Sequence, residues 1–188
     1  MSAGYKIDEK EGIYFLTFQI VEWVDIFTRK IYKDLIIESL DYCIKSKGLV
    51  VYAFVIMPNH IHLLAGSKQD NLSGTIRDFK KYTSNRIINL IKSGGESREN
   101  WMLSVFHKAT LKHNRNTEYQ VWTHENHAEL IYSNLFVDQK LDYIHQNPVR
   151  AGWVIHAEDY VYSSASNYVE NDGVLKNVEI MYQRWKTY

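Results

Sequence analysis

Two histidines separated by one bulky residue stand in Met57-Pro58-Asn59-His60-Ile61-His62-Leu63-Leu64, directly after the apolar run Leu49 to Ile56. On a strand, side chains alternate between faces, so His60 and His62 project to one side and Ile61 to the other. Two imidazoles converging on one point have the geometry of a metal site. The competing reading is a half-buried, hydrogen-bonded pair, since histidine commonly takes intermediate burial. The flanks favour a built site. Val50 to Ile56 is rich in β-branched and aromatic residues, Pro58-Asn59 is turn chemistry, and Leu63-Leu64-Ala65 reads as a second short strand of a hairpin.

A second group lies about eighty residues downstream, on a helix expected from Asn134 to Asn147. Tyr143 and Asn147 are four residues apart and Lys140 three before Tyr143, so a phenol, an amide and an ammonium share one helix face. If this face packs over the histidine hairpin, Asn147 becomes a third metal ligand and Tyr143 a nucleophile. The chemistry that wants this set is phosphoryl transfer from DNA to tyrosine. A cation held by two neutral imidazoles and an amide oxygen keeps open positions for a scissile phosphate. A phenol ionises only near pH ~10 and needs help from metal, lysine or solvent to lose its proton. The product would be a 5′-phosphotyrosine and a free 3′-hydroxyl, and the reverse step would join another strand without ATP.

These groups need elements to hold them. Gly12 to Val21 places Tyr14, Leu16, Phe18 and Ile20 on one face of a strand, and Lys30 to Lys45 has helical spacing stopped by Lys47-Gly48. After the histidine hairpin, Leu72 to Ile91 reads as an amphipathic helix ended by Gly94-Gly95. The order strand, helix, strand, strand, helix fits most of a ferredoxin-like split βαβ arrangement, an α+β antiparallel sheet with helices packed on it. Glu99 to Leu111 is a further helix, His113-Asn114-Arg115-Asn116 a polar loop, and Tyr119-Gln120-Val121-Trp122 a short strand that could complete the sheet. Pro148 marks the end of the Tyr143 helix, because the residue before proline disfavours the α region. The remainder, with Tyr160, Tyr162, Ser163, Ser164 and Tyr168, is an irregular C-terminal wrap.

Composition sets the bounds. The 188 residues fit one domain, with a core over about 10–150 and the wrap over 151–188, at 45% hydrophobic and 23% charged. No apolar run approaches the ~20 residues of a membrane span, and the start Met1-Ser2-Ala3-Gly4-Tyr5-Lys6 lacks a signal-peptide core, so a cytoplasmic location is expected. The lone Cys43 falls in a helical pattern, which excludes an intramolecular disulfide and any cysteine-based zinc cage. The formal net charge is zero, yet 71–115 carries nine Lys or Arg against three Asp or Glu, and 116–188 five against ten. A basic middle suits nucleic acid, and a solvated helix face explains it equally. Lys80, Lys81, Lys108, Lys112, Arg115, Lys140 and Arg150 are candidate DNA contacts, and Trp101 or Trp122 could stack on unpaired bases.

Rivals exist within the chain. Tyr82 in Phe79-Lys80-Lys81-Tyr82-Thr83 is an alternative nucleophile, and His124 and His127 have a spacing that binds metal on a helix. His107, His113, His145 and His156 read as surface or DNA-facing residues.

The motif around His60 and His62 resembles the His-hydrophobic-His motif of single-tyrosine transposases. Asp142-Tyr143-Ile144-His145-Gln146-Asn147-Pro148-Val149-Arg150-Ala151-Gly152 resembles the tyrosine helix of the same HUH superfamily, in its REP-associated (RAYT-like) branch of IS200-like transposases. Glu158-Asp159-Tyr160-Val161-Tyr162-Ser163-Ser164 is similar to that branch's C-terminal signature. With the helix segment Arg77 to Ser84, these matches span about residues 10–168. The resemblance implies a ferredoxin-like fold, metal ligands at His60, His62 and Asn147, Tyr143 as nucleophile, Mg²⁺ or Mn²⁺ as cofactor, and a homodimer acting on single-stranded or hairpin DNA. Insertion-sequence relatives usually carry Gln where Asn147 stands; Asn is one methylene shorter. Two other classes of function stay open: a His-x-His metal-dependent hydrolase, which would release phosphate without a protein adduct, and a domesticated DNA-hairpin binder.

Overall fold

Alternating apolar residues in the first third of the chain, joined by one short later piece, make a four-stranded sheet. The computed structural model describes residue 7 and residues 11–93, 95–112 and 118–181. The strands are β1 (Tyr14–Gln19), β2 (Leu49–Ile56), β3 (His60–Ser67) and β4 (Glu129–Leu130), in the spatial order β2-β3-β1-β4. Each adjacent pair is antiparallel, so β1 and β2 run parallel with β3 between them. This is the split βαβ topology expected of the sequence.

Helices cover both faces. They are α1 (Lys30–Lys47), α2 (Leu72–Ser93), α3 (Glu99–Thr110), α4 (Asn134–His145), α5 (Asn147–Arg150) and α6 (Ala165–Glu170). On one face Leu16, Phe18, Phe54, Ile61 and Leu63 form the main core with Leu35, Ile36 and Leu40 of α1 and Ile76, Phe79 and Ile87 of α2. On the other, Phe15, Ala53, Val55 and Leu64 form a smaller buried cluster with Met57 and with Val137, Leu141 and Ile144 of α4. Burying each aliphatic side chain contributes roughly 1.5–3 kcal/mol. Gly48, at φ 67°, caps α1 in the left-handed conformation and its N–H donates to the Cys43 carbonyl, which is why the helix stops there.

A bulge at Tyr52 shifts the alternation of β2. Leu49 and Val51 before it, and Phe54 and Ile56 after it, all face the main core. The shift leaves Val55 opposite His62.

Three expectations change. The sheet is completed by Glu129–Leu130 rather than by Tyr119 to Trp122. Both pieces lie along β1: the Val21 N–H donates to the Val121 carbonyl, Trp122 bridges Ile20, and the Thr17 N–H donates to the Asn126 carbonyl. The course between them is interrupted at His127, whose backbone is left-handed (φ 40°), so regular pairing resumes only at the far end. The Tyr143 helix stops at His145, and Asn147 begins α5 with Pro148 in its first turn, where a missing N–H costs nothing. His124 and His127 lie on this irregular stretch and not on a helix.

The wrap is ordered by backbone pairing along the outer edge of β2. The Ile56 N–H donates to the Tyr162 carbonyl, the Ser164 N–H to the Phe54 carbonyl, and the Glu179 N–H to the Val51 carbonyl. Tyr160 and Tyr168 hydroxyls donate to the carbonyls of Ile56 and Tyr52. Among the described residues no helix is long and apolar enough to cross a membrane.

Candidate active site

His60 and His62 are the first and third residues of β3, on the face covered by α4, with ring centroids 4.7 Å apart. Each has its Nδ1 engaged. His60 Nδ1 lies 2.7 Å from Asn59 Oδ1, an acceptor, so this nitrogen carries the proton and the Nε2 lone pair is left for a cation. His62 Nδ1 lies 2.9 Å from Thr17 Oγ1, and its ring stacks on Phe15 at 5.2 Å. Burial lowers the pKa of His60. Burial, with added repulsion from His60 and Lys140, pushes His62 down to about 3. Both rings are therefore neutral at physiological pH, the form that ligates metal.

Tyr143 comes to this pair from α4 of the same chain. Its ring stands edge-on to His62 at 5.1 Å and to Phe15 at 5.8 Å, and the residue is 41% exposed. The helix is started by Ser133, whose Oγ accepts from the Phe136 N–H, and is seated by Val137, Leu141 and Ile144. Arg150 folds back from α5, donating to the Tyr143 carbonyl at 2.8 Å, with its guanidinium 5.0 Å from the tyrosine ring centroid. Asn147 stands half-buried at the α4–α5 junction, one turn past Tyr143. Its backbone carbonyl accepts from the Ala151 N–H. The described residues contain no group of three or more His, Cys, Asp or Glu able to hold a metal ion. Two neutral imidazoles on one strand face are donors of the kind that ligate divalent metal ions.

The other sequence candidates separate. Lys140 donates to both Glu129 carboxylate oxygens at 2.9 Å and lies 4.1 Å over Phe15, tying α4 to the edge strand. Lys80 is half-buried and donates to the Thr123 carbonyl and Asn126 Oδ1; burial pulls its pKa down to about 8. Lys112 pairs with Glu22 at 2.6 Å. Lys81 and Lys108 are exposed, and Arg115 and His113 lie outside the described residues. Trp122 is buried in the core, with its indole N–H donating to Thr83 Oγ1, so it offers no surface to a base. Trp101 is exposed. Tyr82, at 53% exposure, lines a groove between α1 and α2 on the opposite face of the sheet from the histidines. His145 faces inward instead of outward: its Nε2 is 2.9 Å from Ser164 Oγ, its ring is 4.9 Å from Tyr168, and burial lowers its pKa to about 4.

Thr17, Phe15 and Glu129 were not singled out from the sequence. Thr17 and Phe15 alternate with the apolar Leu16 and Phe18, so they face α4, and pairing with β3 sets Thr17 beside His62. The strand alternation carries their facing; only the register reveals their partners.

The site thus joins a histidine pair on a strand to a tyrosine on the covering helix. Residues 13–147 match the family model for IS200-like transposases, and the chain belongs to that family. Over 97% of this chain and 94% of the other, the fold is similar to a solved structure of a REP-associated tyrosine transposase bound to a REP hairpin, with a TM-score of 0.64 and 17% identity. No curated protein matches the sequence.

Proposed function

We propose that this protein cleaves and rejoins single-stranded or hairpin-forming DNA, using Tyr143 as nucleophile beside a divalent cation held by His60, His62 and Asn147. The observation that carries the reading is the seating of Tyr143 on His62 within one chain, 5.1 Å between ring centroids. The phenol, on losing its proton to solvent, attacks the scissile phosphorus. The P–O3′ bond breaks, the 3′-oxygen leaves and takes up a proton, and a 5′-phosphotyrosine remains. An incoming 3′-hydroxyl reverses the step, expelling the phenolate and joining a new strand. A bound Mg²⁺ or Mn²⁺ supplies charge neutralisation at the phosphate oxygens. Thr17 and Asn59 fix the orientation of the imidazoles through Nδ1, and Arg150 holds the Tyr143 turn against α5. We take the working form as a homodimer in which each copy uses its own tyrosine.

Labelled hairpin and single-stranded oligonucleotides, incubated with Mg²⁺ or Mn²⁺ and run on denaturing gels, test this. The expected result is a covalent adduct lost in Tyr143→Phe and kept in Tyr82→Phe. The opposite pattern, or phosphate release with no adduct, sinks the proposal. Mixing Tyr143→Phe with His60→Ala protein is expected to restore no adduct; restoration would show that one copy's tyrosine serves the other's histidines.

A further inference from the structure

At the end of the site away from Tyr143 stands Trp23, 60% exposed, its indole 6.4 Å from the His60 ring centroid. The rings of Tyr143, His62, His60 and Trp23 form a row with successive centroid spacings of 5.1, 4.7 and 6.4 Å. The indole contributes little to the core, yet its backbone is closely fixed. Glu22 and Trp23 both hold left-handed backbones, at φ 52° and 57°. The segment is fastened to the neighbouring turns: the Trp23 N–H donates to the Ile20 carbonyl, Asn59 Nδ2 to the Trp23 carbonyl, and the Phe27 N–H to the Pro58 carbonyl. Glu22 is also paired to Lys112 at 2.6 Å. Strained, non-glycine backbone concentrates where the surrounding structure must present a particular side chain.

Resting on the strand-transfer reading, we infer that Trp23 is a stacking platform for an unpaired nucleobase next to the phosphate held at the histidine pair. A large flat ring left in solvent beside a phosphate site matches the π-face of a base, and such stacking is tolerant of sequence. Trp23 is a positioning residue. It sets where the strand lies relative to Tyr143 and touches no reacting atom.

The test uses the full chain carrying Tyr143→Phe, so that nothing is cleaved, with Mn²⁺ and two fluorescent probes: the oligonucleotide dT12 and a twelve-unit abasic strand of the same length. Adding Trp23→Ala is expected to weaken dT12 binding by about tenfold, Trp23→Phe to keep most of the affinity, and the abasic strand to bind all three proteins alike. Equal binding of dT12 with and without Trp23, an equal loss on both probes, or no binding of dT12 at all would overturn the inference. Failure of the strand-transfer reading shows elsewhere, as an absent Tyr143-dependent adduct, while the dT12 comparison still reports on Trp23.

Discussion

The two faces of the sheet are built from the same strands and do different work. Toward α1 and α2, β1 and β3 send Leu16, Phe18, Ile61 and Leu63 into a layer whose members are almost wholly buried. Toward α4, the alternate residues of the same strands are Phe15, Thr17, His60 and His62, with a thinner apolar cover and a half-exposed tyrosine above them. Because the period of a strand is two, one stretch of sequence can serve stability on one side and chemistry on the other without compromise at any residue. Mutations on the first face are expected to change how much protein is folded, and mutations on the second to change what the folded protein does.

Phe54→Ala should give the largest stability effect. It removes a fully buried ring from the main core and is expected to cost about 3–5 kcal/mol in urea unfolding, with adduct formation per folded molecule retained. Loss of adduct in the remaining folded protein would show that the faces are coupled.

Next comes Glu96, a buried carboxylate gripped by Arg29 at 2.9 Å, the Tyr32 hydroxyl and the Arg98 backbone N–H. Burial alone would raise its pKa, but the hydrogen bonds from Arg29 and Arg98, the Arg29 charge and the Tyr32 hydroxyl together hold it below the usual 4.5. Its contribution is therefore complete above that value and is lost as pH falls through the depressed folded value. Glu96→Gln should cost about 1–3 kcal/mol at pH 7 and flatten the decline of stability below pH ~4.5. An unchanged acid limb in pH-dependent thermal melts would remove Glu96 from this account.

On the other face, Thr17→Val takes away the partner of His62 Nδ1. Mn²⁺ affinity, read by calorimetry, is expected to fall about 10–100-fold while the unfolding free energy changes by less than about 1 kcal/mol. A large stability loss with unchanged affinity would mean that the contact is structural. Smallest should be Lys140→Met, which breaks a partly exposed pair with Glu129; chemical denaturation is expected to register within about 1 kcal/mol of the parent.

The legible parts of the sequence were those with long periods. The strands at 14–19, 49–56 and 60–67 and the helices α1 to α3 follow from runs of several repeats and from stops such as Gly48. The His60–His62 facing and the Tyr143 helix were likewise readable, because spacing alone fixes them. What escaped is set by tertiary pairing. β4 is two residues long, too short to show alternation, and it gains strand geometry only from β1. The helix break at Gln146 depends on how α5 turns, which a proline cannot specify without its surroundings. Lys80 and Lys140 look like free cations in a basic stretch and a helix face, yet Lys80 spends its charge on acceptors in a distant loop and Lys140 on Glu129 of the edge strand. Trp122 resembles a stacking residue by type, and only the packing of α2 shows it belongs inside.

The tail that runs along β2 has a consequence for how copies of this protein meet. A border strand with unsatisfied amides invites a second chain to zip on, which leads to mispairing and aggregation. Here Tyr162, Ser164 and Glu179 occupy that border at Ile56, Phe54 and Val51 respectively, and the opposite border is only two residues long. The sheet is thus poorly suited to extending itself into a neighbour. Shortening the chain before Tyr160 would uncover the long border and is expected to promote self-association.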